Sequence, residues 1–353
     1  MFYLCHSIFI PNPLDNETNY ILAIESSCDD TSAAVLKNNS VLSNVVASQK
    51  IHEEYGGVVP ELASRAHQQN IVPVVDQALA KANIDKKQLS AIAFTRGPGL
   101  LGSLLVGTSF AKSMALGLDI PLIAVNHMQA HILAHFIQDK DMTSPTFPFL
   151  ALTISGGHTQ IMQVKDYFEM EVLGQTLDDA VGEAFDKSAK ILGLPYPGGP
   201  LVDSYAQKGN PLAFEFPIPK VKELNFSFSG LKTSILYFVQ RKTKENPDFV
   251  AENLADICAS IQYTIVLILM RKLKKSVKQT GIKTVAIGGG VSANSGIRNA
   301  LLHAEKALGW KVHIPKFEYC TDNAAMIGIM GYLKFKKGYL SEQNVTAKAR
   351  YNL

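Results

Sequence analysis

Nine histidines occur in the chain, and three of them fall in one short series, His127, His131 and His135. The segment Asn126-His-Met-Gln-Ala-His131 follows directly on the apolar run at 121–125 and reads as the opening of a helix. An i, i+4 spacing puts two imidazoles on one helix face, close enough to share a divalent metal ion. His135 lies roughly 12 Å along the axis from His127 at about 1.5 Å per residue, so one ion takes only one adjacent pair. On these residues alone, a packed or solvated histidine pair is an equally good reading.

Three small-residue turns change that balance. Ser26-Ser-Cys-Asp-Asp-Thr31 and Ser155-Gly-Gly-His-Thr159 each join two strand-like runs, and Gly288-Gly-Gly-Val-Ser-Ala-Asn294 joins a strand to a helix. Glycine lets backbone N–H groups approach phosphate oxygens, while Ser, Thr and Asp supply hydrogen bonds or metal contacts. The third turn also leads into a helix N-terminus, which favours anions, and Asn294 can offer its amide to a base or ribose. One Gly-Gly turn is usually only a turn. Three in this order are what an enzyme needs to hold a polyphosphate between two halves.

The elements that must position these turns alternate between strand and helix. Strands at 20–25 and 31–37, the hairpin signal Asn38-Asn39 and a third strand at 41–48 are followed by a Gly56-Gly57 break. A long helical pattern covers 60–83, then come a strand at 91–95, the loop Arg96-Gly-Pro-Gly-Leu-Leu-Gly102, a helix at 103–116 and the strand before the His helix. A fresh start occurs at Phe147, with strands at 149–154 and 159–164. Leu22-Ala-Ile-Glu-Ser-Ser-Cys-Asp-Asp-Thr31 and Leu150-Ala-Leu-Thr-Ile-Ser-Gly-Gly-His-Thr159 share one layout, which signals an internal duplication. The second half continues with helices near 177–192 and up to 207, a polar, Pro-containing insert at 209–232 and a long helix at 251–278. Strands at 283–287 and 311–314 and a helix at 322–334 follow. The pattern implies an α/β protein with mixed sheets.

At 353 residues the chain has room for about two domains, and 47% hydrophobic with 18% charged residues is ordinary globular composition. The run at 261–270 stops well short of the ~20 apolar residues that cross a bilayer. Residues 1–19 contain no Lys or Arg, fit no targeting sequence well, and read as a disordered extension or a misplaced start. Four scattered cysteines without a CxxC pair argue against a disulfide framework and for a reducing cytoplasm. The net charge of +3 does not announce a nucleic-acid binder, but basic residues cluster at 241–244 and 271–278. Each cluster is either a solvated helix face or a phosphate-backbone track.

With Ala184-Phe-Asp-Lys187, Tyr196-Pro-Gly-Gly-Pro200, Phe226-Ser-Phe-Ser-Gly-Leu-Lys232 and Cys320-Thr-Asp-Asn323, the turns and the His segment make eight motifs in order. Together they closely resemble the TsaD family of bacterial tRNA adenosine threonylcarbamoyltransferases, from about Tyr20 to Gly328. The resemblance implies two duplicated actin-like domains of the ASKHA, ribonuclease H-like type with a cleft between them. They would be 20–146, carrying the His pair, and 147–353, with the insert near 209–232. It also implies one divalent metal per subunit on His127, His131 and Asp322, with iron as the ion and zinc as a substitute. Two imidazoles and a carboxylate leave open positions for substrate oxygens.

The implied reaction passes the acyl group of threonylcarbamoyl-adenylate to N6 of the adenosine 3′ of the anticodon in tRNAs reading ANN codons, releasing AMP. The adenylate would contact Thr153, Ile154, Ser155, Gly156 and Gly157, with Asp186, Gly199, Asp203 and Asn294 completing the nucleotide pocket. Asp29 is the candidate for orienting or deprotonating the amine and His158 a second acid/base candidate. Glu25 reads as a structural carboxylate, and Cys28 has no nearby base that would make it a nucleophile. Asp30 departs from the family's usual Glu by one methylene, which puts any direct contact at that position in doubt. Expected partners are tRNA, TsaB through the helices of the first half, the ATPase TsaE, and TsaC as the enzyme that makes the donor, all in the cytoplasm. Two other readings stand beside this one: a metal-dependent carbamoyltransferase acting on a small metabolite, and a non-enzymatic actin-like scaffold. A metalloprotease is disfavoured, since no His-Glu-x-x-His occurs.

Overall fold

The computed structural model describes residues 18–140 and 142–351, so the expected extension falls outside them except for its last two residues. The first half builds β1 (Tyr20–Glu25), β2 (Thr31–Lys37), β3 (Ser40–Ala47), α1 (Ile51–Tyr55), α2 (Pro60–Ala82), β4 (Ala91–Gly97), α3 (Leu101–Leu118), β5 (Leu122–Asn126) and α4 (His127–Leu133). Next come β6 (Phe149–Ile154), β7 (Thr159–Asp166), β8 (Glu169–Gln175), α5 (Val181–Ile191), α6 (Gly198–Ala206), α7 (Ser229–Glu245) and α8 (Phe249–Thr280). The chain closes with β9 (Thr284–Gly288), α9 (Ser295–Leu308), β10 (Lys311–His313) and α10 (Ala324–Lys336).

The two sheets repeat one topology, β3-β2-β1-β4-β5 and β8-β7-β6-β9-β10. In each, an antiparallel three-strand meander is extended by two parallel strands on the side of its first member. The duplication read from the two hairpins is therefore a duplication of whole sheets. Their central strands are near-continuous apolar runs because both faces are covered. In β1, Ile21 and Ala23 face one core and Leu22 and Ile24 the other; in β6, Leu150 and Leu152 face one and Phe149 and Ala151 the other.

The result is five layers. Helices α2 and α3 cover the outer face of the first sheet, α4 and α10 lie between the sheets, and α5, α7, α8 and α9 cover the outer face of the second. Both α3 and α8 reach the length and hydropathy of a membrane span; α3 packs on α2 and β4, and α8 runs through the second core. Phe226 and Phe228, from the expected insert, are fully buried in that same core, at about 1.5–3 kcal/mol of burial each. The insert ends sooner than expected, because α7 begins at Ser229.

Helix α10 follows the second half in sequence yet packs on β1, β2, β4 and β5 of the first sheet. The close approach depends on small residues on both sides. A Cβ at Gly331 would stand 2.4 Å from Cβ of Ala93, and one at Gly328 would stand 2.1 Å from Cδ1 of Leu36. Burial of the Ala-rich face thus fixes the helix, and with it the residue just ahead of its cap, Asp322.

Candidate metal centre and nucleotide cleft

Helix α4 begins where β5 ends, and the Asn126 side chain caps it by accepting from the N–H groups of Met128 (2.9 Å) and Gln129 (3.2 Å). That fixes His127 in the first turn and His131 one turn later on the same face. Asn323 caps α10 by accepting from Met326 N–H at 3.0 Å, so Asp322 stands at the mouth of that helix. The two helix starts meet between the sheets. Nε2 of His127 lies 3.2 Å from Nε2 of His131, and Asp322 Oδ1 is 3.4 Å and 3.2 Å from the two nitrogens.

This near-equilateral triangle fits one ion. Donors held at about 2.0–2.1 Å from a common metal are about 2.8–3.0 Å apart at right angles and about 3.3–3.4 Å apart at tetrahedral geometry. Two neutral imidazole nitrogens at that separation would otherwise repel or have to share a proton. The donor set, two histidines and a carboxylate on one side of an open cleft, is the facial arrangement of non-haem iron sites and also serves zinc. Among the described residues, this is the one cluster of His, Cys, Asp and Glu donors with metal-binding spacing.

Behind His127 stands Glu25, which is fully buried at the end of β1. Its Oε2 is 3.1 Å from His127 Nδ1, its Oε1 accepts from Ser27 N–H at 2.6 Å, and Thr95 Oγ1 donates to the same carboxylate. A carboxylate on the far nitrogen fixes the ring and its tautomer and makes the metal-facing nitrogen more basic. Burial disfavours charge on His127, but the Glu25 and Asp322 carboxylates outweigh it and hold the group well above its ordinary pKa. Burial, reinforced by the neighbouring His127 charge, pulls His131 below its ordinary value. Asp322 pays a burial penalty too, yet the two imidazoles keep it ionised far below the usual carboxylate range. Sequence reasoning took Glu25 as structural; the signal for its role was a lone carboxylate at the end of an apolar strand that leads into a turn.

His127 and Asp322, two corners of the triangle, line a cleft of about 1190 Å³ between the two halves, with His131 buried behind them. Asp29, Ser155, Gly156, Gly157, His158 and Asp186 line it as expected. Gly156 and Gly157 have open space where a side chain would stand, and a Cβ on Gly182 would lie 2.7 Å from Ser155 O, so the first turn of α5 presses against this glycine turn. The turn thus sits at a helix N-terminus, where anions are favoured. Asp186 accepts from the N–H groups of Gly198 (2.9 Å) and Gly199 (3.0 Å) and so seats α6 on α5; burial nevertheless raises its pKa.

Other expected pocket residues are placed differently. Thr153 and Ile154 are fully buried strand residues, so their side chains do not reach the cleft. Asp203 spends both oxygens on Ser295, at 3.0 Å to its N–H and 2.6 Å to its hydroxyl. Asn294 caps α9 through Ile297 N–H (3.0 Å) and donates its amide to Gln262 (2.7 Å). These residues shape the loops at the cleft rather than presenting free groups to it. Lys232 is exposed and lies outside the lining.

Charges in the cleft are strongly perturbed. Burial, then the charges of His127 and His131, push His158 down to about 4, so it is a neutral acceptor at neutral pH. Burial also raises Asp30 to about 7, helped by Asp29 and against a hydrogen bond from Ser48. Cys28 is driven far up by burial and by Asp29, which removes it as a thiolate nucleophile.

The turn that carries Asp29 is clamped from α2 and α3. His67, fully buried on α2, contacts Thr31 Oγ1 through Nδ1 (2.8 Å) and donates from Nε2 to Cys28 O (3.0 Å). Ser103 Oγ donates to the same carbonyl at 3.0 Å, and Leu100 N–H donates to Ser27 O at 2.7 Å. His67→Leu should lower kcat by about 10²-fold, the cost of misplacing a reacting group by roughly 1 Å, with metal content unchanged. His67→Gln, which keeps a donor toward Cys28 O, should recover most of it. Equal kcat in both variants and wild type would exclude a positioning role.

A family model described as TsaD: tRNA N6-adenosine threonylcarbamoyltransferase matches residues 40–329. The chain belongs to the TsaD family. The chain is 74% identical over 331 residues to the tRNA N6-adenosine threonylcarbamoyltransferase of Christiangramia forsetii, covering 94% of this chain and 97% of that protein. Its identity to the enzyme of the same name from Riemerella anatipestifer is 61% over 333 residues, covering 94% and 98%. Among solved structures, HypF of T. kodakarensis aligns with TM-score 0.59 at 17% identity, over 93% of this chain and 49% of that one. That likeness concerns the fold alone. The family model and these relatives carry the name of a tRNA-modifying transferase, and the two repeated sheets of this chain are an actin-like α/β fold.

Proposed function

We propose that this TsaD-family chain transfers the threonylcarbamoyl group from threonylcarbamoyl-adenylate to N6 of the adenosine 3′-adjacent to the anticodon in tRNAs reading ANN codons, releasing AMP. The observation that carries the reading is the His127–His131–Asp322 triangle, which opens on a cleft whose facing wall is the glycine turn at 155–157. We read 20–146 and 147–353 as its two actin-like domains, with α10 returned to the first.

Each wall has a task. The Ser155–Gly157 turn and the α5 N-terminus hold the adenylate phosphate and steady the negative charge of the departing AMP. An ion on the triangle, iron with zinc as substitute, would supply Lewis acidity toward the carbamoyl oxygen. The exocyclic amine is a poor nucleophile because its lone pair is delocalised into the purine. Asp29, on the opposite turn, orients it and takes its proton as the C–N bond forms and the bond to the phosphate oxygen breaks. His158, neutral at neutral pH, is the second acceptor. TsaB would dock on α2 and α3, where Val72, Leu101, Leu105 and Leu116 are exposed. TsaE as ATPase and TsaC as donor synthetase complete the cytoplasmic system.

The test is transfer of labelled threonylcarbamoyl from its adenylate to an ANN-decoding tRNA transcript, with TsaB and TsaE present, alongside elemental analysis of the bound metal. Asp29→Asn should retain metal and lose about 10²–10⁴-fold in rate, the range of general acid–base catalysis. An unchanged rate removes Asp29 from the reaction. Label on a small-molecule acceptor but not on tRNA would replace the reading with a metabolite carbamoyltransferase, and no label on either would leave a scaffold.

A further inference from the structure

The net charge of +3 conceals a strong separation of charge. Seven carboxylates but only three lysines line the cleft, and one of those lysines, Lys187, is already paired with Asp179 and Glu183. Apart from the glycine turn, that mouth offers a polyanion little attraction. At the other end of the second sheet the balance reverses. No Asp or Glu occurs between Asp256 and Glu305. On the last turns of α8, Arg271, Lys274, Lys275 and Lys278 are all exposed at i, i+3, i+4 and i+7, which makes one basic stripe.

The fold adds to the stripe a loop some fifty residues earlier in sequence. Lys272 Nζ donates to the carbonyls of Val221 (2.8 Å) and Glu223 (2.9 Å), and Lys275 Nζ to Glu223 O at 3.3 Å. Glu223 itself holds a left-handed backbone, φ 54°, so this loop is pinned where a free chain would not leave it. Pinning brings exposed Lys220 and Lys222 beside the helix, and the Glu223 side chain is the acid that accompanies them. Burial and the adjacent Lys275 charge lower the Lys272 pKa, as expected where cations crowd with little relief.

We propose that this basic end of the second half, Lys220, Lys222, Arg271, Lys274 and Lys278, docks the phosphate backbone of the RNA whose adenosine enters the cleft. The inference rests on the transferase reading above. Gln262 marks the level of the cleft on α8 through its bond to Asn294, and the stripe starts nine residues further on and ends sixteen further on. At about 1.5 Å per residue that is roughly 13 to 24 Å from the reacting level, within the length of one RNA stem. Attraction is supplied by the stripe and chemistry by the cleft, so the acidic groups around the metal need not be diluted with lysines.

The experiment uses the full chain and a fluorescent full-length ANN-decoding tRNA transcript, with Kd measured across a salt series. The variant is Lys274→Ala/Lys278→Ala, since neither residue bonds the loop. Losing two phosphate contacts should flatten the slope of log K against log salt by about 1.4–1.8 and weaken binding, with Tm and the rate at saturating tRNA unchanged. An unchanged slope and Kd would overturn the proposal. So would loss of binding to phosphatidylserine vesicles with tRNA binding intact, which would assign the stripe to a membrane surface. Wild-type protein that binds tRNA with the steep slope but transfers nothing, even with TsaB and TsaE, would sink the transferase reading while leaving the docking result standing.

Discussion

His131→Ala is expected to strip the metal centre and to lower threonylcarbamoyl transfer by roughly a thousandfold. The imidazole is buried, its Nε2 stands 3.2 Å from both other donors, and among the described residues no other His, Cys, Asp or Glu is placed to replace it. A Lewis acid supplies several kcal/mol of charge stabilisation, and about 1.4 kcal/mol is tenfold in rate, so roughly 4 kcal/mol corresponds to three orders of magnitude. The checks are metal per chain by elemental analysis, the transfer rate, and a melting curve to establish that the variant is folded. A folded variant that keeps one metal per chain and transfers within tenfold of wild type would show that the triangle is not the working site.

Glu25→Gln should act on the same centre, with an effect of a different kind. Glu25 and Asp322 together bring two negative charges to a divalent ion held by two neutral imidazoles, so the buried centre is neutral only while Glu25 is ionised. Glutamine keeps the shape and can still meet Ser27 and Thr95 but removes one of those charges. We expect metal to bind about 10–100-fold more weakly, the usual cost of losing the group behind a ligand histidine. Transfer should fall at low metal and recover in excess metal. A chelator-competition titration reads the affinity directly; wild-type affinity in Glu25→Gln would reduce Glu25 to a packing role.

Part of this site is legible in the sequence. The paired hairpins at 22–31 and 150–159 carry near-continuous apolar runs and turn chemistry that are local properties of the chain, so the repeated sheets follow from them. The His pair was legible for the same reason, since helical spacing alone sets it on one face. The contents of the pocket were less so. Asn294 and Asp203 look like ligand groups in sequence because they are polar residues near a glycine turn. Their partners, Gln262 and Ser295, are 32 and 92 residues away, and only the tertiary structure shows that those polar atoms are taken. Helix α7 was obscured by the polar stretch before it, whose buried residues, Phe226 and Phe228, are too far apart from the helix periodicity to announce its start.

The return of α10 to the first sheet has a consequence for how the molecule is made. The ribosome delivers β1 to β5 and both histidines early, but the helix that closes the Ala-rich face of that sheet, and the carboxylate that completes the triangle, come from residues 322–336. Until those residues emerge, the nascent first half has an uncovered apolar face and two of its three donors. Its folding therefore cannot finish ahead of the second half in the usual N-to-C order of domains. Metal loading then reports on completed synthesis: a chain stalled or clipped before Asp322 would hold its histidines without a partner carboxylate, and would be distinguishable from the finished protein by its failure to retain the ion.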